Sequence, residues 1–256
     1  MDPATLIGIG AGFGAILVSM VMEGTPITAI ILPAPLILVF VGTFGAGIAG
    51  NAMKDVTKIG NFMKMGFLPA KVAPVSEKIQ TLVTLAEKAR KEGLLALEAE
   101  VKNIDDPFLK RGLQMSIDGT DPEDLRAILE AEISAKKAED KVAAKFFASL
   151  GGYAPTIGII GTVVGLIHVM QSLDNPSELG PLIAGAFVAT LWGVLSANIM
   201  WLPMGAKITR TSELQAAQME LLVEGISEIQ AGTSPRTVRQ KLSALIPPSE
   251  QAKDAA

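Results

Sequence analysis

Residues 146–172 read FFASLGGYAPTIGIIGTVVGLIHVMQS, and residues 182–203 read LIAGAFVATLWGVLSANIMWLP. Neither stretch contains Lys, Arg, Asp or Glu, and each reaches the roughly 20 residues that an α-helix needs to cross about 30 Å of hydrocarbon. A short turn carrying Asp174 and Glu178 separates them. Together they predict a hairpin of membrane-spanning helices. The same pattern occurs upstream, where residues 4–22 and 27–49 are nearly continuous apolar runs parted by Glu23-Gly24-Thr25-Pro26.

The rest of the chain is as polar as these runs are apolar. Of 256 residues, 49% are hydrophobic and the mean hydropathy is +0.41, yet 22 are basic and 26 acidic. Every Lys and Arg lies in 54–145 or 207–256, leaving 1–53 and 146–206 with none. Basic loops stay on the cytoplasmic side of a membrane, and the two hairpin turns carry only acids. The expected fold is therefore an all-α integral membrane protein with four transmembrane helices. Helices 1 and 2 occupy 1–53, a helical cytoplasmic domain 54–145, helices 3 and 4 146–206, and a helical cytoplasmic tail 207–256. Both termini are expected in the cytoplasm. Met1-Asp2-Pro3 lacks the basic start of a signal peptide, and no small-residue cleavage site follows, so the first run is expected to be retained.

The block at 54–145 is not a linker. Leu82, Leu85, Leu94, Leu95 and Leu97 recur at mostly helical spacing, Asp105-Asp106-Pro107 breaks the pattern, and Thr120-Asp121-Pro122-Glu123 restarts it with an acidic cap and an early proline. From Asp121 to Ala144 nothing interrupts a helix, which is expected to run on into the third span. It reads either as a strut that carries force between cytoplasm and bilayer or as a solvated helix laced with i,i+4 ion pairs.

Within the spans, Gly158, Thr162 and Gly165 share one helical stripe, and Gly185, Ala189, Gly193 and Ala197 recur every fourth residue. Small residues allow helix backbones to approach closely. Packing alone is one reading of these glycines and alanines, whereas the hydroxyls of Thr162 and Thr190 are read as contacts for water or an ion in a pore. Pro155 and Pro203 are read as hinges, or else as a helix start and a helix end. Pro33 and Pro35 are expected deeper in the second span, setting its shape. His168 is either an interfacial polar residue or a proton relay. A protein that moves cations through a bilayer needs an ionisable carboxylate near the midplane, and no span has one in its interior. The chain is therefore expected to be part of a channel whose acid comes from a partner.

Several stretches carry a resemblance along the whole chain. In the third and fourth spans they are Ala154-Pro155-Thr156-Ile157-Gly158-Ile159-Ile160-Gly161-Thr162, Gly165-Leu166-Ile167-His168-Val169, Leu179-Gly180-Pro181 and Ala186-Phe187-Val188-Ala189-Thr190-Leu191. The cytoplasmic segment Glu87-Lys88-Ala89-Arg90-Lys91-Glu92-Gly93-Leu94-Leu95-Ala96-Leu97-Glu98 and the tail stretch Glu224-Gly225-Ile226 to Gly232 add to them. In order and spacing they resemble the flagellar stator subunits of the MotA family. That resemblance implies a homo-oligomer, a pentamer, of this chain in the bacterial cytoplasmic (inner) membrane, surrounding the helices of a MotB-like subunit whose aspartate binds the permeating ion. It further implies that Thr162 and Thr190 border the ion pathway, that Pro155 and Pro203 couple ion flow to movement, and that Arg90 and Glu98 meet the rotor protein FliG. Eight residues apart, Arg90 and Glu98 are expected to share one exposed helical face. The coupling ion is H+ or Na+, with Thr162 tilting the reading towards sodium.

A related alternative is an ExbB/TolQ-like proton-channel energiser of an envelope protein, although those subunits usually have three spans. A scaffold without ion coupling is a further class. No cysteine is present and His168 is the single histidine, which excludes disulfides and multi-histidine metal sites. No nucleophile has a neighbouring base and no phosphate loop occurs, so no catalytic residue, metal or cofactor is expected, and no nucleic-acid partner.

Overall fold

Glycine and proline set where the chain turns. The computed structural model describes residues 3–69 and 74–247, and the regular elements among them are helical. Helix α1 (Pro3–Met22) ends at Gly24, whose φ of +73 suits a residue without a Cβ. A 3-10 turn at Ile27–Ile30 leads to α2 (Pro33–Ala49), then to the short α3 (Met53–Val56) and α4 (Ile59–Phe67). Helix α5 (Val75–Glu92) stops at Gly93, a 3-10 turn covers Leu94–Leu97, and α6 (Glu98–Val101) and α7 (Pro107–Ile117) follow. Helix α8 (Pro122–Gln171) is 50 residues long. Beyond it α9 (Pro176–Ser196), a π turn (Ala197–Trp201) and α10 (Leu202–Gln230) make one helical stretch, followed by α11 (Pro235–Ala244).

Prolines open α2, α7, α8, α9 and α11, where the missing N–H costs nothing because the first turn has no intrahelical acceptor for it. This corrects the reading of Pro33 and Pro35. They lie in the first turn of α2 rather than deep in a span, because the apolar run at 27–49 divides into a 3-10 turn and a 17-residue helix. The expected continuation past Ala144 does occur, since α8 runs unbroken to Gln171.

Two compact units form, and α8 and α10 contribute residues to both. One comprises Met1–Ala70 with Asp140–Arg210, the other Lys71–Glu139 with Thr211–Ala256. The core of the first gathers Phe62 of α4, Phe146, Phe147 and Leu150 of α8, and Trp201 and Met204 after α9. Trp201 lies edge-on to Phe44 and stacks on Phe147, with ring centroids 5.4 and 6.5 Å away. In the same unit the Trp192 indole donates to the Ile30 carbonyl (2.7 Å). No side chain of the apolar α1 is buried, as expected of a helix whose environment is not water. Helices Pro3–Met22, Pro122–Gln171 and Pro176–Gln230 are long and apolar enough to cross a membrane, while Pro33–Ala49 is shorter.

The core of the second unit is built from Leu82 and Leu85 of α5, Leu113 of α7, Leu125 and Leu129 of α8, Leu222 and Ile226 of α10, and Leu242 of α11. Of the leucines at 94–97, Leu97 is fully buried whereas Leu95 is 74% exposed. The break at Asp106-Pro107 is a helix start: the Asp106 carboxylate accepts from the Phe108 and Leu109 amides and takes an ion pair from Lys78 at 2.8 Å.

Candidate functional site: a threonine pair at a glycine-lined crossing

The closest approach of α8 and α9 is made of glycine. A Cβ added at Gly158 would lie 2.8 Å from the Ala189 carbonyl, one at Gly193 2.5 Å from the Ala154 carbonyl, and one at Gly165 2.6 Å from the Ala186 Cβ. Distances this short admit no side chain. Gly161 belongs to the same seam, with Ala189 2.6 Å from its would-be Cβ, a contact that the 158/162/165 stripe alone did not reveal.

Thr162 and Thr190 face each other across this seam and hydrogen-bond through their hydroxyls. The Thr162 hydroxyl also lies 3.3 Å from the Gly158 carbonyl and 3.1 Å from the Ala186 carbonyl, and the Thr190 hydroxyl 3.2 Å from the Gly158 carbonyl. Two hydroxyl and two carbonyl oxygens thus converge beside a backbone seam. Each hydroxyl has one proton, so the set has more acceptors than donors. Such a set suits a hard cation or a proton carried on water, and it also clamps the two helices together.

Pro155 sits inside α8 without ending it. Having no N–H, it leaves the Gly151 carbonyl without its usual intrahelical donor, and the space beside Gly151 is taken by the Leu202 side chain. Pro203 is the second residue of α10, and the π turn immediately before it closes with the Leu202 amide on the Ala197 carbonyl. A π turn next to a proline places the irregular hydrogen bonding of both features in one short segment. Pro203 therefore neither ends a helix nor leaves it regular. His168 is exposed in the last turn of α8.

Arg90 and Glu98 are both exposed, but they do not share a helix. Gly93, with φ +86, stops α5, so Arg90 lies in its last turn and Glu98 at the start of α6. The expected common helical face is replaced by a bend, closed by the Lys88–Glu100 pair at 2.7 Å. Glu98 approaches Lys102 at 3.8 Å, and Arg90 forms no ion pair among the described residues.

The tail stretch, to which the sequence assigned no role, is a structural fastener. Gly225 packs on Leu82, Ile226 fills the space beside Gly112, and Gln230 donates to the Thr120 carbonyl (2.7 Å). Glu228 is buried and paired with Lys241 of α11 at 2.5 Å. Burial pushes its carboxyl up, but hydrogen bonds from Lys241 and Thr233 outweigh this and hold it below the usual range. Polar residues on an otherwise apolar helical stripe are the signal that points to such a role.

Over its whole length this chain is 36% identical to motility protein A of Bacillus subtilis (strain 168), covering 94% of that protein. The family model for MotA/TolQ/ExbB proton channels matches residues 100–221. The chain belongs to this family. Motility protein A of Borreliella burgdorferi is likewise 36% identical over 99% of this chain and 97% of its own. Among solved structures, the flagellar MotAB stator complex from Bacillus subtilis superposes with a TM-score of 0.92 at 36% identity, covering 99% of this chain and all of the matched one. The C. jejuni MotAB structure gives 0.92 at 28% identity, covering 97% of each. Within the MotA/TolQ/ExbB family, the chain is a MotA-like flagellar stator subunit.

Proposed function

We propose that this chain assembles with a MotB-like subunit into an ion channel that converts H+ or Na+ influx into torque on the rotor protein FliG. The observation that carries the proposal is full-length similarity to motility protein A combined with apolar helices that hold no interior carboxylate. An ion path through such helices needs an acid from elsewhere, and the solved relatives are complexes with a second kind of subunit. In this reading α1, α2, the second half of α8 and α9 with its π turn are four spans of the bacterial inner membrane. Residues 54–145 and 207–256, and both termini, are cytoplasmic. Copies of this chain, five of them, ring the partner's helices and contact lipid outside.

The Thr162–Thr190 oxygens border the ion path, where opening of the seam would free them for a water or a cation. Pro155 and Pro203 let α8 and α10 bend as the partner's acid gains and loses its ion. Arg90 and Glu98 present opposite charges to the rotor, and exposed pairs contribute only about 0–1 kcal/mol each, which suits a contact made and released repeatedly. An ExbB/TolQ-like energiser is the second reading, supported by the shared family model.

Motility decides between these. In cells lacking their own stator, this chain with its MotB-like partner is expected to restore swimming. Sodium titration at fixed pH, with a protonophore control, then identifies the ion: speed that follows sodium and survives the protonophore marks sodium drive, and the converse marks protons. Cells that stay non-motile with both subunits inserted would refute the stator role.

A further inference from the structure

The bend after Gly93 turns one large apolar side chain into solvent, and no role above uses it. A 3-10 turn has three residues per turn, so side chains three apart lie over one another. In Leu94–Leu97, Leu97 is fully buried and Leu94 packs partly on the core of its unit, so the 94/97 face points inward. Leu95 and Glu98 occupy the next face, tied by the Glu98 amide donating to the Leu95 carbonyl, and both are exposed. At 74%, Leu95 is the most exposed large apolar side chain of this unit among the described residues; Leu245 follows at 58%. A single exposed leucine is ordinary. The backbone of this one is held in place: the Ala96 amide donates to the Gly93 carbonyl (3.2 Å), and the Lys88–Glu100 pair closes the bend.

Charge indicates what kind of surface would cover it. Lys88 and Lys91 are matched by Glu100 and Glu87, whereas Arg90 has no ion pair among the described residues and Glu98 meets Lys102 only at 3.8 Å. The bend therefore presents an apolar side chain with an anion on the same face and a cation on the other side of Gly93. Specific interfaces place apolar anchors at the centre and charges at the rim. A backbone already fixed on both sides of Leu95 loses little freedom when the surface is covered. The complement is a protein surface with an apolar pocket, flanked by a base for Glu98 and an acid for Arg90. We propose that Leu95 is the apolar anchor of the contact with the rotor protein, inserted into such a pocket while Arg90 and Glu98 set the orientation. This rests on the rotor reading given above for Arg90 and Glu98.

The test captures the full chain, purified with its MotB-like partner, on immobilised FliG at about 0.15 M and about 1 M salt, between which the screening length falls from about 8 to about 3 Å. Leu95→Ala is expected to weaken capture about tenfold at both salts, as loss of buried apolar area does, and to slow swimming. Leu95→Met keeps both. The deficit of Arg90→Ala, being electrostatic, shrinks at the higher salt. Thermal melts show whether each variant folds, and Leu95→Gln, of similar volume, repeats the comparison if the alanine variant does not. Capture of Leu95→Ala equal to wild type overturns the anchor, and so does a deficit that disappears at the higher salt. A folded Leu95 variant that elutes as a smaller assembly assigns the residue to a contact between copies of the chain, which also overturns it. Wild type that FliG captures at neither salt refutes the rotor reading and the anchor with it. Capture weakened by Arg90→Ala but not by Leu95→Ala refutes the anchor alone.

Discussion

At Arg90 and Glu98 the residue scale is plain, since both side chains reach solvent and the bend at Gly93 sets them on consecutive helices. Reversing both charges, Arg90→Glu with Glu98→Arg, is expected to abolish or sharply reduce swimming while membrane insertion and complex formation stay normal. Normal swimming with an unaltered rotor would remove the pair from the rotor contact. Asp106 makes a stability prediction. Burial alone would raise its carboxyl, but the Lys78 hydrogen bond and the Leu109 and Phe108 amides prevail and lower it. A carboxyl lowered on folding stabilises above its unfolded value, near 3.8, and that stability is lost as pH falls through the folded value. Asp106→Ala should cost about 0.5–2 kcal/mol at neutral pH, as an N-cap loss does. The difference from wild type should shrink below pH 4, read by thermal melts of the full chain. Asp106-Pro107 was legible in the sequence as a break; its second role, taking the Lys78 pair, required the fold to bring α5 alongside.

At the scale of elements, α8 holds Pro155 in a continuous helix of 50 residues. A proline in a helix interior costs on the order of 3 kcal/mol. Pro155→Ala is therefore expected to restore the bond to the Gly151 carbonyl and stabilise the helix, while torque falls. Melting of the purified complex and the rotation of tethered cells measure the two sides. Higher thermal stability with full torque would leave Pro155 no coupling role. The 3.6-residue spacing made the α8 and α9 stripes visible in advance. What it left undecided was which small residues meet: Gly161 was outside the stripe and Gly185 faces Leu32 at 3.7 Å, because helix pairing depends on crossing angle and rotation as well as on spacing. The π turn before Pro203 likewise had no sequence signal beyond the proline, since its five-residue bonding answers to packing on both sides of the segment.

For the whole molecule, the proposed topology makes a direct prediction. A reporter active only outside the cytoplasm should work when fused after Gly24 or Asn175, and a cytoplasmic reporter when fused after Gly119 or Thr233. Periplasmic activity after Gly119 would reverse the orientation.

The sequence by itself determined the all-helical class, the segregation of charge from apolar runs, the break at Asp106-Pro107, the helix start at Pro122, and the family. These depend on composition and on near neighbours along the chain. Only the tertiary structure decided that Arg90 and Glu98 flank a bend, that Thr162 and Thr190 share a hydroxyl contact, and that Glu228 fastens α11 through Lys241. Each of those depends on how residues far apart in the chain approach one another, and a glycine or a buried carboxylate takes its meaning from the neighbour that the fold supplies.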